Sequence, residues 1–209
     1  MKIKYIFDLD GTLLEGDFSK EKDYFESVLS ASDSKIFIPK IHNLLEKYES
    51  IYQRYDIDLL SEFMRHESSV KITPSIIRGW QEFNKDMDNT IIDGVVDTLE
   101  ELKMHDKQLV VLTNGFSDTQ IGRLKKSKID IYFDEVYGGE TYLKPNSKAY
   151  LNACGNTPFE LCVMIGDDYK KDIEGAISAG VDAIYFDRNN TFIEDKNSVK
   201  SLRKIKEMY

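Results

Sequence analysis

The sequence predicts an α/β fold, a Rossmann-like doubly wound parallel sheet core with an inserted all-helical cap domain. Two observations predict it. Residues 107–188 alternate between short apolar runs and stretches with helical spacing, as strand–helix–strand repeats do. Residues 15–92 carry only helical apolar stripes and separate the first strand from the helix that should follow it. We therefore assign residues 1–14 and 93–209 to the core and residues 15–92 to the helical insert.

The core elements follow one another along the chain. Their apolar runs are continuous rather than alternating, which is typical of strands buried on both faces of a sheet. Predicted strands cover Ile3–Phe7, Leu109–Leu112, Phe133–Tyr137, Leu161–Ile165 and Asp182–Phe186. Predicted helices cover Val95–His105, Asp118–Lys128, Ser147–Cys154 and Lys170–Ala179. A last helix is predicted from the spacing of Val199, Leu202, Ile205 and Met208.

The helical insert contains amphipathic stripes and no strand signal. One stripe runs from Ile41 to Tyr55 and another from Ile76 to Met87, the latter opened by Thr73 as N-cap and a proline at the first helical position. A strand–helix–strand unit needs only about 30 residues. The excess residues therefore predict a separate small helical bundle.

Composition restricts the classes of partner. The formal charge of −9 argues against nucleic acid and against an anionic membrane surface. We find no signal peptide and no apolar run long enough to cross a bilayer, so we expect a cytoplasmic protein. Cys154 and Cys162 match no metal or redox spacing and predict buried free thiols. The sequence leaves the oligomeric state, monomer or dimer, open.

Two aspartates close the first predicted strand, in the segment Phe7-Asp8-Leu9-Asp10-Gly11-Thr12-Leu13. Side chains two positions apart in an extended backbone point to the same side. Carboxylates that close raise each other's pKa unless a cation joins them, and a divalent metal keeps both ionised. The alternative is a pair of solvated aspartates in a turn.

Three further elements fall at strand ends or just beyond them. They are Thr113-Asn114-Gly115, Lys144-Pro145, and Gly166-Asp167-Asp168-Tyr169-Lys170-Lys171-Asp172. Taken singly, they have ordinary interpretations as a turn, a surface lysine and a loop before a capped helix. Open parallel sheets bind ligands at the edge formed by the carboxyl ends of their strands. Together the four elements therefore predict one site at that edge.

With these four elements in this order, the chain resembles the haloacid dehalogenase superfamily. The resemblance covers residues 3–14 and 93–188 and places the insert where a large subgroup carries its cap. It implies a magnesium-dependent phosphomonoesterase that works through an aspartyl-phosphate. The implied partner is a small phosphate ester, such as a nucleoside 5′-monophosphate or a sugar phosphate.

The resemblance also implies the chemistry of the first motif. Asp8 would be the nucleophile, and Asp10 would protonate the leaving oxygen and later activate water. The implied cofactor is Mg²⁺, held by Asp8, the backbone carbonyl of Asp10, and Asp167. An aspartate at position 10 favours a phosphatase, because members that cleave carbon–halogen or carbon–phosphorus bonds generally lack it.

The remaining motif residues complete the implied site. Lys144 would be the second catalytic cation, and Thr113 and the Asn114 N–H would hold phosphate oxygens. Asp168 and Asp172 would form an outer shell around the metal. Asp172 would hold a metal water or orient the lysine. Asp168 replaces the commoner serine or threonine, and its role as outer-shell ligand, helix cap or lysine partner stays open.

Two other functions remain compatible with the motifs. A phosphomutase on the same scaffold would need groups in the insert that hold a bisphosphate. The candidates for those groups are His42, Arg54, Arg65, Lys71 and Arg78. A non-catalytic binding module is the other alternative. The retained nucleophile, lysine and metal aspartate argue against it.

Overall fold

The computed structural model describes residues 2–188, 190 and 197–207. Within these ranges the chain forms a six-stranded parallel sheet and a two-stranded ribbon. The strands are β1 Lys4–Phe7, β2 Leu14–Gly16, β3 Asn89–Ile91, β4 Gln108–Leu112, β5 Glu135–Tyr137, β6 Cys162–Gly166, β7 Asp182–Phe186 and β8 Ser198–Val199. The α-helices are α1 Glu21–Val28, α2 Ala31–Phe37, α3 Ile41–Tyr52, α4 Ile57–Ser68, α5 Pro74–Lys85, α6 Val95–Met104, α7 Ser117–Lys126, α8 Ser147–Cys154 and α9 Gly175–Ser178. The predicted fold class is confirmed.

The strand order of the main sheet is β5-β4-β1-β6-β7-β8, with every neighbouring pair parallel. The chain runs outwards from β1 to β4 and β5, then returns to place β6 on the other side of β1. Two separate apolar clusters pack against the two faces of the sheet. The change of direction brings the carboxyl ends of β1, β4 and β6 together, which is where such sheets bind ligands.

Helices α1–α5 lie between β2 and β3 and have an apolar core of their own. This core is rich in aromatic rings, including Phe25, Tyr48 and Trp80. As predicted, the Thr73 hydroxyl caps α5 by accepting the Ile76 N–H at 3.4 Å. None of the helices in the described part of the chain has the length and apolarity needed to span a bilayer.

Backbone hydrogen bonds also join the helical insert to the loop before α8. The Tyr55 N–H donates to the Gly139 carbonyl at 2.7 Å, and the Leu143 N–H donates to the Gln53 carbonyl at 2.9 Å. The Leu143 side chain packs into the core of the insert. The insert therefore contacts the main sheet domain at more than its two chain connections.

Three predictions about single elements were wrong in detail. The insert was expected to lack strands, but β2 and β3 pair antiparallel at its two ends. Strands of three residues are too short to show an alternating pattern, and their partners are distant in sequence. The segment predicted as a helix over Lys170–Ala179 begins with a wider π-helical stretch, Tyr169–Glu174, before α9.

The third difference concerns the tail. Val199 lies in β8 beside β7, and the residues 202–207 form a 3₁₀ helix rather than an α-helix. Leu202 and Ile205 are both buried, and their spacing of three fits either helix type. Met208, the last residue of the predicted stripe, lies outside the described residues.

Candidate active site

A buried lysine joins two aspartates at the carboxyl edge of the sheet. Asp8 follows β1 directly, and Lys144 lies in the loop between β5 and α8. Lys144 Nζ donates to Asp8 Oδ1 at 2.5 Å and to Asp172 Oδ1 at 2.6 Å. Lys144 is 4% exposed and Asp172 is 0% exposed. Because the three groups share an environment with little water, their charges act strongly on one another.

Asp167 adds a third carboxylate to this cluster. One carboxylate oxygen from each of Asp8, Asp167 and Asp172 lies within 4.8 Å of the others. Gly11 has a φ of 81°, and a side chain there would collide with the Asp167 carboxylate. The first motif therefore needs glycine for both backbone conformation and space. Three oxygens this close together fit a hard divalent cation such as Mg²⁺.

The pKa values reflect the excess of negative charge. Burial raises the pKa of Asp8 to about 7, with Lys144 opposing the shift and the charge of Asp172 adding to it. Burial and the charge of Asp8 raise the pKa of Asp167 to about 6. Burial alone would lower the pKa of Lys144, but the charges of Asp172 and Asp8 outweigh it and raise that pKa above its usual range. One lysine does not neutralise the cluster, so the donor set fits an additional cation.

Thr113 and Asn114 follow β4 and lie beside the lysine loop. The Asn114 side chain accepts the Lys144 N–H at 2.7 Å and donates to the Lys144 carbonyl at 3.0 Å. That amide therefore fixes the loop, and only the backbone of Asn114 is left for a ligand. Thr113 Oγ1 accepts the Gly115 N–H at 3.3 Å. The Thr113 hydroxyl hydrogen has no acceptor among the described residues and is available to donate.

The carboxylate of Asp10 lies apart from the cluster and binds Arg123. Arg123 Nη1 donates to Asp10 Oδ2 at 2.9 Å, and Nη2 donates to Oδ1 at 2.5 Å. Arg123 is 1% exposed. It also donates to Gln120 Oε1 at 2.8 Å and, through Nε and Nη2, to Asn89 Oδ1 at 3.0 and 2.9 Å. Because Asn89 lies in β3, Arg123 binds both Asp10 and the two-stranded ribbon at the base of the insert. Arg123 is therefore the shared anchor of Asp10 and Asn89.

Asp168 caps the helical segment that follows β6. Its Oδ1 accepts the Lys171 N–H at 2.9 Å, while its own N–H donates to Asp172 Oδ2 at 3.1 Å. Of the three roles left open for Asp168, this geometry matches the helix cap. Asp172 in turn accepts the hydrogen bond from Lys144. Of the five motif aspartates, only three cluster within the described residues, because Asp10 and Asp168 have other partners.

A profile of the haloacid dehalogenase-like hydrolase family matches residues 5–186, which include all four motif elements. The chain belongs to this family. The predicted relationship to the haloacid dehalogenase superfamily is confirmed, and the protein is a hydrolase.

Relatives within this family include known phosphatases. The pyrimidine 5′-nucleotidase PynA of Streptococcus pneumoniae is 27% identical over 204 residues, covering 87% of this chain and 82% of PynA. The N-acylneuraminate-9-phosphatase of Homo sapiens is 26% identical over 220 residues, covering 92% of this chain and 85% of that enzyme. The HAD-hydrolase YfnB of Bacillus subtilis, solved bound to magnesium, has a TM-score of 0.72 at 20% identity and covers 99% and 98% of the two chains. This structural likeness supports the shared fold.

A cleft of about 440 Å³ separates the motif residues of this haloacid dehalogenase-like hydrolase from its helical insert. The floor of the cleft includes Asp8, Lys144 and Thr113. The side formed by the insert consists of Phe18, Glu21, His42, Leu45, Glu49, Tyr55, Trp80, Gln81 and Asn84. The cleft therefore places insert side chains opposite the proposed reaction centre.

Sequence reasoning missed several residues of this site. Arg123 lies three positions after Gln120, a spacing that puts both side chains on one face of the predicted helix, but neither residue belongs to a motif. Asn89 and Glu21 lie in segments without any recognisable motif. Their importance comes from contacts between residues far apart in sequence.

Proposed function

We propose that this hydrolase is a magnesium-dependent phosphomonoesterase that cleaves a small phosphorylated metabolite through an aspartyl-phosphate. The observation that carries the proposal is the buried cluster in which Lys144 binds Asp8 and Asp172 beside Asp167. A carboxylate held by a cation at the floor of a cleft suits nucleophilic attack on phosphorus. The relatives named as a nucleotidase and a phosphatase support a phosphate monoester as substrate.

Asp8 is the proposed nucleophile. Its Oδ1 accepts the Lys144 hydrogen bond, so Oδ2 attacks phosphorus as the bond from phosphorus to the leaving oxygen breaks. Lys144 neutralises charge on the phosphoryl oxygens, while the Thr113 hydroxyl and the Asn114 N–H donate to them. Water then attacks phosphorus, releasing phosphate and regenerating the Asp8 carboxylate.

Asp10 is the proposed acid and base. It gives a proton to the leaving oxygen and later takes one from the attacking water. A carboxylate bound by both Nη atoms of Arg123 accepts two hydrogen bonds and has no proton to give. Asp10 must therefore leave Arg123 before it acts as the acid. Arg123 is a positioning residue in this scheme, because it holds Asp10 without touching the reacting atoms.

Asp8, Asp167 and the backbone carbonyl of Asp10 would hold the Mg²⁺. When bound, Mg²⁺ would neutralise charge that collects around phosphorus. The fit rests on the proximity of the Asp8 and Asp167 carboxylates within the cluster and on their pKa values, which burial raises.

The alternatives have less support. Among the five basic residues that a phosphomutase could use in the insert, only His42 lines the cleft. The others, Arg54, Arg65, Lys71 and Arg78, are exposed elsewhere. A non-catalytic module would not need a buried lysine between two carboxylates.

The helical insert, residues 15–92, would act as a cap over the core formed by residues 1–14 and 93–209. The β2–β3 ribbon joins the two parts. Side chains of the insert line the cleft opposite Asp8. Movement about the ribbon would admit substrate and then exclude water.

The function is tested by measuring phosphate release from a panel of phosphate esters, including an aryl phosphate, with Mg²⁺ present. We expect hydrolysis that EDTA abolishes and Mg²⁺ restores. The unfolding temperature supplies a second readout. Bound Mg²⁺ must displace protons from Asp8 and Asp167, whose pKa values are raised to about 7 and about 6. The stabilisation by Mg²⁺ should therefore be larger at pH 8 than at pH 5.

The control for the metal is Asp167→Asn, which removes one charged ligand. It should reduce the thermal shift produced by Mg²⁺ at pH 8. Undiminished turnover in EDTA, with metal shown to be absent by elemental analysis, would contradict the metal assignment. Absence of phosphate release from every ester would contradict the proposed function.

The role of Asp10 predicts a dependence on the leaving group. Asp10→Asn keeps an oxygen to accept from Arg123 but cannot transfer a proton. We expect a loss of roughly 10²–10⁴-fold in kcat on alkyl phosphates. The loss should be much smaller on an aryl phosphate with an acidic leaving group, because that group needs less protonation. Steady-state kinetics on the two esters measures the difference. Equal losses would mean that Asp10 does not protonate the leaving oxygen.

A further inference from the structure

Glu21, the first residue of α1, lies almost completely buried in the wall of the cleft. It is 6% exposed and lines the same cleft as Asp8. Its Oε1 accepts two hydrogen bonds, from Trp80 Nε1 at 2.8 Å and from Asn84 Nδ2 at 2.7 Å. Both donors come from α5. These bonds fix the position of the carboxylate.

The second oxygen of Glu21 is unused. Oε2 makes no hydrogen bond to any described residue, and it is accessible to solvent. Because Glu21 is otherwise buried and lines the cleft, this oxygen opens into the cleft. Burial raises the pKa of Glu21, since a carboxylate in an apolar wall lacks part of its hydration. A hydrogen-bond donor on a ligand would replace that lost hydration.

The charges around the cleft select against anionic leaving groups. Within the described residues, the insert contributes Glu21 and Glu49 to the cleft but no lysine or arginine. His42 is its sole basic group there. The core residue Lys171 also lines the cleft, and its Nζ lies 3.5 Å from Glu49 Oε2. A carboxylate or second phosphate on the leaving group would therefore face the Glu21 and Glu49 carboxylates, with His42 as the one basic side chain that the described insert offers there.

Aromatic rings flank the same part of the wall. Trp80 binds Glu21 directly through its indole nitrogen, and the Phe18 ring, which also lines the cleft, lies 5.3 Å from the Arg123 guanidinium. Ring faces and sugar or base faces pack well, while the carboxylate accepts from hydroxyl or amino groups. The wall thus combines apolar faces with the fixed acceptor Glu21.

We propose that Glu21 determines substrate specificity by accepting an O–H or N–H of the leaving group, so that the substrate is a phosphate ester of an uncharged, donor-bearing alcohol. This proposal rests on the proposed phosphatase function and narrows its substrate class. Nucleosides and neutral sugars share the required chemistry. Esters whose alcohol carries a carboxylate, such as 2-phosphoglycolate, do not fit.

The test compares Glu21→Gln with the wild type on three kinds of ester. The first kind has a neutral alcohol with donors, represented by a nucleoside 5′-monophosphate and a neutral sugar phosphate. The second is 2-phosphoglycolate, whose alcohol carries a carboxylate. The third is an aryl phosphate, whose leaving group offers no hydrogen-bond donor. The matched control is Glu26→Gln, the same change on the exposed side of α1. Comparing the nucleotide with the sugar phosphate identifies which neutral alcohol is preferred.

We expect Glu21→Gln to lower kcat/KM on the preferred neutral ester by about 10- to 100-fold, mainly through KM. Activity on the aryl phosphate should change less than about twofold, and Glu26→Gln should match the wild type on every ester. Equal losses on the aryl and neutral esters, or a wild-type preference for 2-phosphoglycolate, would overturn the proposal. Absence of wild-type activity on all of these esters would instead count against the proposed function.

A binding measurement decides the question without turnover. Trp80 is the one tryptophan of the chain, and its indole donates to Glu21, so its fluorescence reports on this wall. We expect the free nucleoside or sugar to change wild-type emission in a saturable manner, and glycolate to have no such effect. The response should be lost in Glu21→Gln. Saturable binding of glycolate but not of the neutral alcohols would overturn the proposal, even if the variant fails to fold.

Discussion

Asp8→Asn should abolish turnover while leaving the protein folded. The amide nitrogen and oxygen of asparagine are poor nucleophiles towards phosphorus, so no aspartyl-phosphate forms. Losses of several orders of magnitude in kcat are usual when a nucleophile is removed. The fold should survive, because burial raises the pKa of Asp8 to about 7 and a neutral side chain of the same shape relieves the charge. Asparagine Oδ1 can still accept from Lys144.

Rapid-quench measurement of phosphate release, together with thermal unfolding, checks this expectation. Asp118→Asn is the matched control, since Asp118 is exposed on α7 and does not line the cleft around Asp8. The control should keep wild-type turnover. A variant at position 8 with turnover near that of the wild type would refute the nucleophile assignment.

Lys144→Met should cost the protein both activity and stability. Lys144 Nζ is the shared partner of Asp8 and Asp172, the latter 0% exposed. Removing it leaves two buried carboxylates without their cation, and such losses usually amount to about 3–5 kcal/mol in the free energy of unfolding. Phosphate release should fall below detection, because the cation beside the phosphoryl oxygens is gone.

The pH dependence separates this electrostatic cause from simple loss of packing. Without Lys144, the pKa values of Asp8 and Asp172 should rise further in the folded state. The folded state then binds more protons than the unfolded state, so stability falls as pH rises. Denaturant unfolding in EDTA should show a larger destabilisation at pH 8 than at pH 5. Lys125→Met, which changes an exposed lysine, should show little effect at either pH. A pH-independent loss would indicate packing as the cause.

The fold and the reaction centre could be predicted because their signals are local. Strands buried on both faces produce continuous apolar runs, and Ser147–Cys154 and Asp182–Phe186 have the bounds that the sequence predicts. The motif residues follow strand ends, and a parallel sheet with one change of direction brings those ends together. These two features together predict the proximity of Asp8, Lys144 and Asp167 that the structure has.

The partners of these residues could not be predicted in the same manner. The position of a residue along the chain does not indicate the direction of its side chain. The sequence therefore places the Asp10 carboxylate beside that of Asp8 and does not reveal its contact with Arg123. Glu21 resembled any acidic residue at the start of a helix. Its burial depends on α5, which begins more than fifty residues later. Such contacts between distant segments leave no periodic trace in a single sequence.

The shared anchor of Asp10 and Asn89 has a consequence for building chimaeras. Exchanging residues 15–92 between relatives is an obvious way to transplant substrate preference, since the exchanged segment has its own apolar core. Asn89 lies inside that segment, whereas Arg123 and Asp10 lie outside it. A donor segment that lacks an acceptor at the position of Asn89 would leave the guanidinium with unpaired N–H groups. To keep the contacts of Arg123 in a chimaera built on this protein, the exchanged segment should therefore end before Asn89 rather than after β3.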